Sequence, residues 1–242
     1  MLTKTRAIVL HSVKYGDDKT IVDMLTSDFG RLSFVCRLPK TQKGKLKKQF
    51  FQPLTMLSIE LDYRQGGGLQ HLRDVRMTQP FTSIPFDAAK LSISLFVAEF
   101  LLYATRGEQQ NEPLFQYVEH SIEWLDGQSR SFANFHLVFM MRLSRFIGFF
   151  PNLEDYREGD CFDLRSGTFV AVKPSHADFV EAVEASRIGL LMRMGFESMH
   201  LFRLTRQERN RCAELILKYY RLHVPNFPEL KSIGILKELF EV

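Results

Sequence analysis

The stretch Arg31-Leu32-Ser33-Phe34-Val35-Cys36-Arg37-Leu38 alternates residue by residue. Successive side chains of a β-strand fall on opposite sides of the sheet. Leu32, Phe34, Cys36 and Leu38 therefore share one face, and Arg31, Ser33, Val35 and Arg37 share the other. The first face packs a core, and the second carries two arginines toward solvent. Thr5–Val13, Lys19–Thr26, Pro53–Leu61 and Gln70–Thr78 are further short runs rich in Val, Ile, Leu and Thr. Turn chemistry separates them at Tyr15-Gly16-Asp17-Asp18, at Asp28-Phe29-Gly30 and at Gln65-Gly66-Gly67-Gly68. Five such strands suit a small closed barrel, because closure removes exposed sheet edges.

After residue 87 the period becomes helical. Ala88–Arg106 is apolar nearly all round, which predicts a buried central helix. Helices are also expected over Glu112–Leu125, Phe132–Gly148, from about Ser175 with Ser175 or Asp178 as cap, over Thr205–Arg221 and over Ser232–Phe240. Thr205-x-x-Glu208 matches a capping box. The polar segment 151–174 reads as two small strands around Ser166-Gly167. The fold class is α+β. A five-stranded barrel domain (1–80) precedes a helical domain (81–242) with a small β-hairpin insert at 151–174.

Charge is unevenly spread. Eleven Lys and Arg against four acids give residues 1–50 a net charge of +7, leaving −3 on the rest of a chain whose total is +4. This asymmetry predicts a polyanion-binding end on an otherwise neutral body. The 22 Phe against one Trp and seven Tyr predict many buried rings, since Phe has no polar handle. Cys36, Cys161 and Cys212 are too far apart for a disulfide framework or a metal motif, which fits a reducing compartment. Leu91–Ala104 is too short to span a bilayer, and the first residues lack a signal-peptide core. The expectation is a soluble cytoplasmic protein, associated with the nucleoid.

Templates for catalysis are missing. There is no phosphate loop, no dinucleotide fingerprint, no paired-histidine metal helix and no nucleophile elbow. Gly66-Gly67-Gly68 reads as a flexible loop, and Asp17-Asp18 as a turn tip. The positive signal is the run from Arg37 to Phe51, with Arg37, Lys40, Lys43, Lys45, Lys47 and Lys48 and no acid. It reads either as a solvated loop or as a segment tracking a nucleic-acid backbone, and the complete absence of acids favours the second. Lys19, Arg31 and Arg37 complete the candidate phosphate surface. Phe50 and Phe51 offer rings for base stacking, although at least one suits the barrel core. Arg73 and Arg76, three apart on the last strand, should face opposite sides.

The run Lys4-Thr5-Arg6-Ala7-Ile8-Val9-Leu10, the turn Asp28-Phe29-Gly30-Arg31-Leu32 and the basic loop together resemble the N-terminus of the RecO family of recombination mediators. Tyr219-Tyr220-Arg221-Leu222-His223-Val224-Pro225, followed by Leu230-Lys231-Ser232, is similar to that family's closing motif. The resemblance spans essentially the whole chain and is greatest to members from Bacteroidetes-type bacteria. It implies an N-terminal OB-fold, a helical C-terminal domain, and a non-enzymatic role in DNA repair and recombination. That role consists of binding single- and double-stranded DNA, annealing complementary strands, and assisting RecA loading with RecR and single-strand-binding protein. Many family members hold zinc through four insert cysteines. Here only Cys161 is retained, so no metal and no cofactor are expected, with Phe162 and Phe169 packing the insert instead. The helix carrying Arg142 and Arg145, with Phe149, is a candidate site for the tail of single-strand-binding protein, against a reading as an ordinary core helix. An OB-fold RNA-binding translation or ribosome-assembly factor would show the same basic loop. A metal-dependent nuclease needs a carboxylate cluster that the sequence does not display, and attachment to a membrane through the lysines is disfavoured because that run is not an amphipathic helix.

Overall fold

The computed structural model describes residues 2–17, 19–37, 48–66, 68–154 and 156–239. Contacts within the chain divide it into two compact units, Met1–Gly127 with Leu230–Leu236, and Gln128–Glu229 with Lys237–Val242.

The first unit opens with strands β1 (Leu2–Tyr15), β2 (Lys19–Thr26), β3 (Gly30–Arg37), β4 (Met56–Asp62) and β5 (Gln70–Met77). They close into a barrel in the order β1-β2-β3-β5-β4, the arrangement of an OB-fold. All neighbours are antiparallel except β3 and β5, which pair in parallel at Phe34↔Gln70 and Val35↔His71. The alternation of β3 holds: Phe34 and Cys36 are buried in the barrel core with Val9, Val22, Met24, Phe51, Leu57 and Ile59. Burial pushes the Cys36 thiol up to about 12, so this cysteine is a packing group and not a nucleophile. The long β1 buries the run Ala7–Leu10 on both faces, and a bulge between Val9 and His11 lets Val9 also pair with residues 54–55.

Helix α1 (Ala88–Ala104) starts at Asp87, whose carboxylate accepts from the Ala89 and Lys90 amides. Most of it is buried as expected, yet Leu91 and Leu95 reach the surface, so it is not covered all round. Two buried polar groups join it to helix α2 (Glu112–Gly127). The Asp126 carboxylate accepts from the backbone of Thr82, Ser83 and Ile84 at 2.7–2.9 Å. Lys90, 1% exposed, donates to Ser83 Oγ and to the Asp126 carbonyl. The returning segment is fixed by Glu99, which accepts from the Lys231 and Ser232 amides.

A close backbone approach fixes the β2–β3 turn. Gly30 has φ +65°, and a Cβ there would lie 2.3 Å from the Glu108 carbonyl oxygen. The neighbouring Arg31 amide donates to that same oxygen.

The second unit contains helices α3 (Phe135–Phe146), α4 (Ala182–Arg193) and α5 (Arg206–His223) and a three-stranded sheet of β6 (Cys161–Asp163), β7 (Thr168–Val170) and β8 (Phe179–Val180). A last helix, α6 (Ile233–Glu238), closes the described chain. The Thr205–Glu208 capping box forms at the start of α5. The expected hairpin forms as β6–β7, with Phe162 opposite Phe169 and their ring centroids 4.9 Å apart. The third strand was not expected, and it moves the next helix. Residues 179–180 pair with β6, so α4 begins after Glu181 and neither Ser175 nor Asp178 caps it. Asp178 instead binds Arg165. Among the described residues, no helix is long and apolar enough to cross a membrane.

Gly30→Ala combines a left-handed φ with a backbone clash and should cost about 2–4 kcal/mol in urea unfolding. Gly107→Ala, at φ +86° with open space around its Cβ, should cost only about 1 kcal/mol. Equal losses would refute the close-approach argument. Burial raises the Asp126 pKa, but hydrogen bonds from the amides of Thr82, Ile84 and Ser83 outweigh it and hold the group at about 2. Its folded pKa lies below its unfolded value, so the stabilisation is complete above about pH 4 and is lost as pH falls toward 2. Wild type should thus lose about 2 kcal/mol more than Asp126→Asn between pH 4.5 and 2. Parallel pH curves for the two proteins would show that Asp126 contributes nothing.

Candidate nucleic-acid interface

The register of the barrel sorts its outward side chains into rows. Residues directly opposite on antiparallel strands project to the same side with Cβ atoms about 5 Å apart. The first row is His11–Asp23–Ser33. Here Asp23 accepts from Ser33 Oγ, lies 3.6 Å from Arg31 Nη2 and 3.7 Å from His11 Nδ1, so its charge is matched locally. The second row is apolar, Val13–Ile21–Val35, and continues in parallel register to His71 on β5. The third is Tyr15–Lys19–Arg37 at the open end of the strands.

Of the expected phosphate ligands, Lys19 and Arg37 are therefore brought together, both exposed and directly opposite one another. Like charges in this position add their potentials, so this end of the barrel carries a locally positive field. Lys48 is exposed on the 3₁₀ turn Lys48–Phe51 that leads into β4. Lys40, Lys43, Lys45 and Lys47 lie outside the described residues.

Arg31 has a different placement. Its side chain is 19% exposed, and its guanidinium donates to the Leu102 carbonyl in the last turn of α1 while facing Asp23. It ties β3 to the helix and to the first row. Phe51 is 2% exposed inside the barrel, and Phe50 packs partly against the same core, so these rings serve the fold. Arg73 and Arg76 do not face opposite sides. Leu61 pairs with Leu72 and Glu60 with Asp74, so Arg73 is the extra residue of a bulge, and both arginines emerge exposed. Each meets a carboxylate, Arg73 with Asp62 and Arg76 with Asp74.

Sequence reading missed Tyr15 and His71, which flank the cationic and apolar rows. Only the pairing register reveals them, because they belong to no local pattern of charge. The β4–β5 loop beside His71 is held by the buried Gln70, whose side chain accepts from the Arg64 amide and donates to the Arg64 carbonyl, both at 3.1 Å. The side chain thus pairs with the loop as a strand backbone would.

In the second unit, the three candidate partner-binding residues part company. Phe149 is half-buried in an aromatic cluster, stacked on His223 and edge-on to Tyr219 and Tyr220. Arg142 donates to the Met194 carbonyl at the end of α4. Arg145 is exposed, with its guanidinium 4.3 Å from the centroid of Phe150. The insert does not fit zinc. Cys161 is buried and donates to Glu181, while His176 faces Asp163, and among the described residues no three metal-ligating side chains converge.

Comparison with known proteins gives this surface its context. Residues 1–81 match the family described as Recombination protein O N terminal, and residues 85–232 match Recombination protein O C terminal. A protein of Phocaeicola vulgatus named DNA repair protein RecO is 52% identical over 240 residues, covering 99% of this chain and all of the relative. A Bacteroides fragilis protein of the same name is 51% identical over the full length of both chains. Another from Azobacteroides pseudotrichonymphae is 38% identical over 241 residues, again with complete coverage of both. With both halves matched and relatives this similar end to end, the chain belongs to the recombination protein O (RecO) family of DNA repair proteins.

Proposed function

We propose that this chain is a recombination mediator that works by binding and not by bond chemistry. It binds single- and double-stranded DNA, anneals complementary strands and assists RecA loading together with RecR and single-strand-binding protein. The observation that carries this reading is the opposed Lys19–Arg37 pair at the end of β3, from which the acid-free run 38–48 departs. Cations held opposite each other in this way can grip one phosphate between them. Neutralising phosphates on two strands at once lowers the repulsion that slows annealing. The phosphate ligands are Lys19, Arg37, Lys40, Lys43, Lys45, Lys47 and Lys48, on the domain formed by residues 1–80. Arg31, held between Asp23 and α1, sets the position of β3 and contributes field more than contact.

Counterion release makes such binding steeply salt-dependent. If the six cations from Arg37 to Lys48 all contact a single strand, the log–log slope from this segment is roughly −4. Replacing Lys45, Lys47 and Lys48 by Ala should flatten it by about 2 and slow annealing of strands coated with single-strand-binding protein. A slope near zero in the wild type, or annealing unchanged in the variant, would refute the reading. Competition with structured RNA separates it from translation or ribosome-assembly work: RNA displacing single-stranded DNA at equal concentration would favour the latter.

The acidic, apolar tail of single-strand-binding protein requires cations beside rings, and the exposed Arg145 over the half-buried Phe150 offers both, supported by Arg142 and the Phe149 cluster. Arg145→Glu should weaken tail-peptide binding at least about tenfold, since a charge-assisted contact is replaced by repulsion. Unchanged affinity would remove this site from consideration.

A further inference from the structure

The second outward row of the barrel is unusual for a sheet face turned to solvent. Val13, Ile21 and Val35 lie side by side across three strands and His71 extends the row to a fourth, a span of about 14 Å at the usual strand spacing. Val13 is 46% exposed, and Tyr15 in the adjoining row is 55% exposed. Polar residues are the rule at such positions, because antiparallel sheets with one wet face alternate apolar and polar side chains. The row also has a definite electrical setting. On one side lies the matched His11–Asp23–Ser33 row, and on the other lie Lys19 and Arg37. An apolar floor with ring-bearing side chains at its rim and cations along one border matches a single occupant, a strand with flat apolar bases on one side and phosphates on the other.

We propose that this strip, with Tyr15 and His71 as stacking rings and Val13, Ile21 and Val35 as the floor, contacts the bases of unpaired strands and is what separates single-stranded from duplex binding. The inference rests on the phosphate-binding reading above and deepens it. In a duplex the base faces are stacked inside the helix, so only the cationic row is satisfied. In an unpaired strand both rows are used. Contact of this kind is tolerant of sequence, because every base has a π-face. The rings belong to Tyr15 and His71, while Phe51 is buried in the barrel interior and Phe50 packs partly against it.

The experiment measures affinity of the full chain for oligothymidylate, for an abasic strand of equal length and for a duplex, each across a salt series. Tyr15→Ala and, separately, His71→Ala should each weaken oligothymidylate binding about tenfold. Both should leave abasic-strand affinity, duplex affinity and every salt slope unchanged, and Tyr15→Phe should keep wild-type affinity. Both side chains are exposed, so the folded state survives the substitutions, and melting curves verify this. Losses that are equal on oligothymidylate and abasic strand, or no loss on oligothymidylate for either variant, would overturn the stacking strip while leaving the phosphate reading intact. The phosphate reading fails by a different signature, a wild-type protein whose affinity for all three ligands is flat in salt.

Discussion

The short parallel pairing of β3 with β5 is the contact on which the N-terminal unit depends. The other four ladders are antiparallel, three of them between neighbours in sequence or across one hairpin, and they alone would leave an open, curled sheet. Two register positions, Phe34 with Gln70 and Val35 with His71, close it. One member of this closure points inward as core, and the other points outward and becomes part of the surface strip. Gln70 is the odd member, a buried amide that hydrogen-bonds both the amide and the carbonyl of Arg64 in the loop that precedes it. Leaving such an amide unpaired would cost about 1–3 kcal/mol, so loop and closure are ordered together.

Two arginines of one strand show how position decides what a charge does. Arg31 and Arg37 occupy equivalent outward sites on β3, but Arg31 sits at the end beside α1. There it satisfies a carbonyl at the helix C-terminus, where cations are favoured by the helix dipole. Arg37 sits at the other end, opposite a lysine. The first fastens the strand and the second presents it.

Much of this was legible in the chain itself. The alternation Leu32-Phe34-Cys36, the turn glycine at 30 and the capping box at 205 each specify local geometry without help from distant residues. Charge clustering marks Arg37 and the run beyond it for the same reason. Features set by long-range pairing were not legible. The exposed position of both Arg73 and Arg76 comes from a bulge opposite β4, and β8 exists only because two residues far along the chain pair with β6. The rows of the outer face belong to this class. Tyr15 reads as a turn residue until β2 and β3 are laid beside it.

The opposed Lys19–Arg37 pair ties one end of the barrel to ionic strength. Two like charges on directly opposite exposed positions add their potentials, and salt at 0.1 M screens that sum over about 10 Å. The field at this end of the barrel therefore fades as the medium grows saltier, while the closure of β3 on β5, made by backbone pairing at Phe34 and Val35, is indifferent to it.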